Sequence, residues 1–278
     1  MSGFEASWLE LREPVDHAAR NAPIARRAQE HFADRAALTV VDLGCGTGSN
    51  LRAFAPSLPR LQHWQLIDGD NALLHEARRS LARWADNARD TDDELHLIKG
   101  EHQIRVSFEA VDLTACDLHF SDTSPDLVTA AALFDLVSAA WLERLVSASA
   151  QRRTALYAVL NYDGVARWRP DAALDERVVA AFNRHQNGDK GFGPALGPAT
   201  SDAFAGLLSK YGYRSWQGES PWTLGANDRP LIAALTTGFA QAAAEIEPDM
   251  ADEFAAWARE RADAANVVIG HQDIFAVI

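Results

Sequence analysis

The sequence predicts an α/β fold built on a mostly parallel sheet with helices on both faces, and two observations carry that prediction. Residues 38–50, LTVVDLGCGTGSN, place the strand-forming Val40, Val41 and Leu43 directly before a loop with three glycines, Gly44, Gly46 and Gly48. A near-continuous apolar run closed by glycine is how a parallel strand buried on both faces reads, and glycines let the backbone turn sharply and approach a ligand. Downstream, short apolar strand patterns alternate with stretches of helical period, as βαβ units require.

In chain order, SWLELREPVDHAARNAPIARRAQEHFA reads as two helical pieces interrupted by Pro14 and Pro23, with Arg12, Asp16, His17 and Arg20 on or near the same turns. After the glycine loop, Leu51 to Ala55 begins a helix that Pro56 and Pro59 end, and Gln65 to Asp68 is a second strand. Asp70 is placed to cap the next helix, where Leu73, Leu74, Ala77, Leu81 and Trp84 make one apolar stripe. NARDTDDELHLIKGEH is polar enough for an exposed connection, and IRVSFEAVDL then alternates as a third strand ending at Asp112. Leu127 to Leu133 is a buried fourth strand, and Asp135 starts the helix carrying Leu136, Trp141 and Leu145. TALYAVLNYDG is the fifth strand, delivering Asn161, Tyr162 and Asp163 to the carboxyl edge where open α/β sheets bind ligands.

The remainder is less regular. DAALDERVVAAFNRHQ is helical with Gly188 as its stop, and NGDKGFGPALGPAT forms either a lid or substrate wall with Gly hinges or a static surface loop. A capped helix in SDAFAGLLSKYGYRSW leads to a sixth strand. LIAALTTGFAQAAAEI and MADEFAAWARERADAA are two further helices, and VVIGHQDIFAVI is the last strand. Residues 1–278 are read as one elaborated domain: a helical cap over 1–36, a ligand-binding core over 37–160, a lid-like insertion over 161–200, and C-terminal helices and strands over 201–278.

A hydrophobic content of 47% is ample for a core. No apolar run of 18 residues and no basic-plus-apolar leader is present, so no membrane partner is expected and the expected location is cytoplasmic. Cys45 and Cys116 cannot make a disulfide framework or a metal cluster. A formal net charge of -13, with Lys99, Lys190 and Lys210 as the only lysines, disfavours a nucleic-acid partner.

The loop spacing is G-x-G-x-G, and Ser49 stands where a dinucleotide fingerprint wants its third small residue. Asp68 follows about 20 residues beyond the loop, where an acid binds ribose hydroxyls, so the two features point to an adenosine-type ligand. This pattern resembles the class I S-adenosylmethionine-dependent methyltransferases. Asp42, Gly44, Gly46 and Gly48 fill the family's (acid)-x-G-x-G-x-G motif, Asp68 its acid at the end of strand two, and Asp112 in FEAVDLT its acid in a later strand. The similarity covers residues 37 to 160. LREPVDHAAR, HQNGDKGFGPALGP and GHQDIFA are also similar to a bacterial subgroup of that family.

The resemblance implies a Rossmann-like, mostly parallel seven-stranded sheet with an antiparallel seventh strand, here with an N-terminal helical segment and a C-terminal helical insertion. It implies S-adenosyl-L-methionine as cofactor and S-adenosyl-L-homocysteine as product. Asp68, with Gly69 beside it, would hold the ribose, Asp112 and the Leu113 backbone the adenine, and Gly44 to Gly48 the methionine part. Asp42 would organise the loop or receive the ligand ammonium, and the small residues Ala130, Ala131 and Ala132 would leave room for the cofactor. The Asn/Asp-Pro-Pro-aromatic signature of many amino-methylating enzymes is missing.

Methyl transfer from a sulfonium depends on in-line positioning and exclusion of water, with a base added for a hydroxyl or ammonium acceptor. The candidate bases are His185 first, then Tyr162, Asp135 and Asp189. His185 and Asp189 would pair on one face if the helix continued past Gly188, whereas a histidine beside an apolar stripe also suits a structural role. Asp135 is either an N-cap or a functional acid. Arg20 or Arg12 could bind a carboxylate of cofactor or substrate, or lie on the surface of a docking helix. His271 and Asp273 alternate onto one face of the last strand, but no third ligand accompanies them and no metal is expected. The expected activity is transfer of a methyl group to a small-molecule O- or N-nucleophile. The alternatives are a SAM-binding regulatory protein without methyl transfer and a nicotinamide-dependent dehydrogenase. The C-terminal helices leave a homodimer open.

Overall fold

The computed structural model describes residues 5–91, 93–115 and 124–278, so Cys116 lies outside the described residues. Helices α1 (Ala6–Ala19) and α2 (Ala22–Phe32) precede β1 (Ala37–Leu43), α3 (Ser49–Phe54), β2 (Leu61–Asp68) and α4 (Asn71–Trp84). Then come β3 (Asn87–Asp90), β4 (Glu94–Lys99), β5 (His102–Ala110), β6 (Leu127–Ala131), α5 (Ala139–Arg152), β7 (Ala155–Arg169), α6 (Asp175–Gln186) and α7 (Thr200–Lys210). The chain continues through β8 (Arg214–Glu219), β9 (Trp222–Leu224), α8 (Arg229–Ile246), α9 (Ala251–Arg261) and β10 (Asn266–Val277).

The strands form one sheet in the order β3-β4-β5-β2-β1-β6-β7-β10-β8, with β9 paired to β10. From β5 to β7 neighbouring strands are parallel, and β10 runs antiparallel to both β7 and β8. The sheet therefore contains the expected seven strands plus the β3–β4 hairpin and β9. The hairpin replaces the exposed connection expected for NARDTDDELHLIKGEH: Leu95 and Leu97 of β4 point into the core while β3 is wholly exposed, so polar residues mask an antiparallel edge.

The sheet separates its apolar contacts by strand parity. On one face Trp64, Leu66, Ile104 and Val106 pack against α2, α3 and α4, the last through Leu74, Ala77 and Leu81. On the other, Val41, Val128, Leu156 and Ile274 meet α5 and α7. That second face turns polar toward β4, where Arg105 Nε donates to His63 Nε2 at 2.9 Å and His96 lies 3.0 Å from Glu94. A third apolar group joins the extended ends of β7 and β10 to α6, α8 and α9 through Trp168, Phe239, Phe254 and Trp257. Among the described residues no helix is long and apolar enough to cross a membrane.

Several boundaries differ from expectation, and β7 runs on through Gly164 to Arg169, so Asn161, Tyr162 and Asp163 lie within the strand and not at its carboxyl end. Pro14 lies inside α1 and does not end it; the break comes at Arg20, after which Asn21 caps α2 by accepting from Ile24 N at 3.0 Å. Asp135 does not start a helix either. It sits in a short 3-10 turn, Phe134–Leu136, and Ser138 caps α5.

Candidate functional site

The glycine loop connects β1 to α3 at the floor of a cavity of about 550 Å³, well within the size of small-molecule sites. Gly44 and Gly46 both have left-handed backbone, with φ of 63° and 52°. A Cβ on Gly44 would come within 3.2 Å of Leu133, and one on Gly46 within 2.9 Å of Leu9, so the loop lies close to both walls. Gly48 serves differently: it precedes α3 and packs against Leu81 and Ala77, outside the cavity lining.

Beneath the loop, Asp42 is fully buried and does not line the cavity. Asn50 Nδ2 donates to Asp42 Oδ1 at 2.8 Å and to Thr129 Oγ1 at 3.1 Å, while Asn50 Oδ1 accepts from Arg20 Nη2 at 2.7 Å. Burial pushes the Asp42 carboxyl up to about 7, against the opposing pull of Asn50 and Arg20. Nothing in the sequence marks Asn50 beyond its being a polar residue in the first turn of a helix.

Asp68 ends β2 facing the loop, its Oδ2 accepting from Gly46 N at 2.8 Å and its Oδ1 from Asp70 N at 3.0 Å. Burial raises its pKa. Gly69 lines the cavity next to it. Across the mouth, Asp112 is exposed, and Thr114 donates to its Oδ1 from both backbone and hydroxyl, which lowers its pKa. Leu113 lines the cavity and its carbonyl accepts from Trp141 Nε1 at 2.7 Å. Ala130 does not face the cavity: it is buried within the sheet, and the alternation at the end of β6 gives that place to Ala131, followed by Ala132. Ala132, directly after β6, and Leu160, within β7, both line the cavity with positive φ, 51° and 58°. Such backbone in non-glycine residues concentrates at functional sites.

Helix α1 roofs the loop. Leu9 covers Gly46, Glu13 pairs with Arg52, whose Nη1 donates to Thr47 O at 2.7 Å, and His17 Nε2 lies 2.9 Å from Ser49 Oγ. The spacing of Leu9, Glu13 and His17 is the one available sequence signal, four residues per step along one helical face. Burial lowers the His17 pKa. Arg20 lines the cavity with Nε and Nη1 buried and without a hydrogen-bond partner.

The expected bases are not brought together. His185 Nε2 lies 3.1 Å from Glu245 Oε2, on α6 and away from the cavity. Asp189 does not pair with it, because α6 ends at Gln186 and Asp189 Oδ1 instead accepts from Gly191 N and Gly193 N at 2.7 and 3.0 Å. Tyr162 is buried, donating to Asn183 Oδ1 at 2.8 Å. Asp135 is buried between two lining residues, Leu133 and Leu136, with Oδ1 unpartnered and its pKa pushed up to about 6 by burial. The loop after α6 adds Phe192 to the cavity wall. Leu196 N donates to Val137 O at 2.8 Å, and Phe192 meets Trp141 edge-on at 5.5 Å. Asp273 is engaged by Leu160 N, Asn21 N and Ser220 Oγ, and no group of three metal-ligating side chains occurs among the described residues.

Comparison with solved structures places this architecture. The chain is similar to a protein of Bacillus halodurans described provisionally as a methyltransferase, with a TM-score of 0.54 and 14% identity over 92% of this chain and 99% of that one. It is similar also to the YcgJ protein of Bacillus subtilis, with a TM-score of 0.50 and 13% identity over 92% and 98% of the two chains. At such identities the likeness is one of fold, and the chain has the class I methyltransferase fold. No protein-family model and no curated protein matches the sequence.

Proposed function

We propose that this protein is an S-adenosyl-L-methionine-dependent methyltransferase acting on a small-molecule acceptor in the cytoplasm. The observation that carries the reading is the convergence of Gly44, Gly46, Asp68, Asp112 and Leu113, from three strand ends, on one cavity of about 550 Å³. The residues fit the cofactor. Gly44 and Gly46 make a floor that a side chain would fill, and Arg20 brings a guanidinium to the cavity lining, as a carboxylate requires. Asp68 retains lone pairs beyond the two backbone amides it already accepts, enough for ribose hydroxyls. Asp68, Asp70 and Asp112 also give the cavity a negative field suited to a cationic ligand.

S-adenosyl-L-methionine supplies, when bound, an activated methyl group on a sulfonium. The chain's own contribution is to orient the two ligands and keep water out, through Leu9, Leu133, Leu136, Leu160 and Phe192. Of the four candidate bases, Asp135 is the one set beside this wall. The net charge of -13 supports a small molecule over a nucleic acid as acceptor.

Calorimetric titration with S-adenosyl-L-methionine, and separately with NADH, tests the reading. Saturable binding of the former is expected, weakened about 10- to 100-fold in Asp68→Ala by loss of charge-assisted hydrogen bonds. Absence of binding to the wild type, or tighter NADH binding, refutes it. A protein that binds the cofactor but methylates nothing in a labelled-methyl screen of metabolites would be a regulatory one.

A further inference from the structure

Helix α1 brings two arginines to the cavity, eight residues and about 12 Å apart along the helix axis. Arg20 reaches under the glycine loop, where its Nη2 donates to Asn50 Oδ1 at 2.7 Å. Arg12 stands elsewhere: its guanidinium is 4.9 Å from the ring centroid of Trp222, a residue of β9 paired with Ile269 of β10. In the sheet, β7 and β10 lie on one side of β1 and β6, whereas β2 and β5, which lead to Asp68 and Asp112, lie on the other. The cavity is therefore divided. Its acids sit toward β2 and β5, and Arg12 sits toward β7 and β10, the side that Leu160 of β7 lines and that Leu133 and Leu136, after β6, adjoin.

The guanidinium there is fixed in its plane and along one edge. Nε and Nη2 donate to Asp16 at 2.8 and 3.1 Å, and buried Trp222 both lies against the guanidinium and donates from Nε1 to the same carboxylate at 3.0 Å. Leu11 and Val15, on the neighbouring face of α1, pack on the apolar group of β7, β10 and α8, which anchors the helix at this point. Asp16 takes the edge formed by Nε and Nη2. The second fork, one N–H from each of Nη1 and Nη2, has no acceptor among the described residues, although the side chain is only 12% exposed and lines the cavity.

Two parallel donors in a fixed plane match a carboxylate. The pairing with Asp16 does not cancel that match. The two forks diverge by about 120°, so a second carboxylate would stand roughly 4 Å from the guanidinium carbon and roughly 7 Å from the Asp16 carboxylate, and attraction outweighs repulsion. We propose that the methyl acceptor is a small, largely apolar carboxylic acid whose carboxylate is held end-on by Arg12, with its body against Leu133, Leu136, Leu160 and Phe192. The inference rests on the methyl-transfer reading above, which gives the β2 and β5 side of the cavity to the cofactor. The carboxylate is a handle: the fork engages both of its oxygens and leaves methylation to another atom of the acceptor.

The test needs no turnover. Protein saturated with S-adenosyl-L-homocysteine, its binding first confirmed by calorimetry, is titrated with benzoate and with benzamide, two probes of one shape that differ in charge, and their affinities are read by ligand-observed NMR. Benzoate should bind at least about tenfold more tightly than benzamide, as a charge-assisted pair exceeds a neutral hydrogen bond. Arg12→Gln should bring the two affinities within about twofold of each other, and Arg12→Lys, which keeps the charge and the pairing with Asp16 but not the fork, should cut the ratio at least about threefold. The ratio is taken within one preparation, so it does not depend on the folded fraction, and Arg12→Lys carries the test if Arg12→Gln does not fold. Wild type that binds neither probe, or binds benzoate no better than benzamide, overturns the proposal, as does a ratio that survives both substitutions. A loss of S-adenosyl-L-homocysteine affinity in Arg12→Lys as large as the loss for benzoate also overturns it, since Arg12 would then serve the cofactor. Failure of the wild type to bind S-adenosyl-L-homocysteine at all overturns the methyl-transfer reading instead.

Discussion

Replacing Asp42 with asparagine isolates the electrostatic cost of the acid under the glycine loop. Its carboxyl is fully buried, one oxygen accepts from Asn50 at 2.8 Å and the other has no partner. Burial moves its pKa from an ordinary 3.8 to about 7. Because the folded value is the higher one, the unfolded chain gives up this proton first as pH rises. The stability contribution is complete below about pH 4, falls between about 4 and 7, and is constant above that. The displacement corresponds to about 4 kcal/mol. Asparagine keeps the acceptor for Asn50 and never ionises, so Asp42→Asn should match the wild type in stability near pH 4 and exceed it by up to about 4 kcal/mol at pH 8. Urea unfolding at a series of pH values measures the difference, from which the raised carboxyls that do not act on Asp42, namely Asp135, Asp163 and Asp273, cancel. A difference that does not change with pH would refute the reasoning.

Other substitutions probe the same region. Asn50→Leu removes the donor to Asp42 and the acceptor of Arg20, leaving both charges buried without it, and should destabilise by about 3–5 kcal/mol in urea unfolding. A loss below about 1 kcal/mol would show that Arg20 and Asp42 pair directly once Asn50 is gone. Gly46→Ala, at φ 52° and against Leu9, should cost about 1–2 kcal/mol, a fall in Tm of about 2–8 °C by calorimetry, and weaken cofactor binding by displacing α1. An unchanged Tm would mean that the loop readjusts freely.

What was legible in the sequence is local. The glycine loop, Asp68 and Asp112 follow strand patterns closely enough for their positions to be read along the chain, and the order of strands and helices follows from period and punctuation. Contacts across the chain were not legible. Asn50 matters because Asp42, Thr129 and Arg20 meet it in space, and no spacing rule links those four. His185 lies away from the cavity, where Glu245 of α8 and Lys190 of the loop after α6 meet its two ring nitrogens. Ala130 was displaced by strand parity alone, since a one-residue step turns a side chain from the cavity into the sheet. The β3–β4 hairpin was hidden by composition: an edge strand with one solvated face can be as polar as a loop.

The place of β10 has a consequence for how the molecule assembles. Although it is the last strand in sequence, it lies inside the sheet between β7 and β8, and its Asp273 receives hydrogen bonds from Asn21, Leu160 and Ser220. Until residues 266–277 arrive, β8 has no sheet to join and β7 presents an open edge. Contacts of such long sequence separation slow folding, and an unpaired edge invites association with other chains. The rate of native sheet closure should therefore be set by the docking of this one strand.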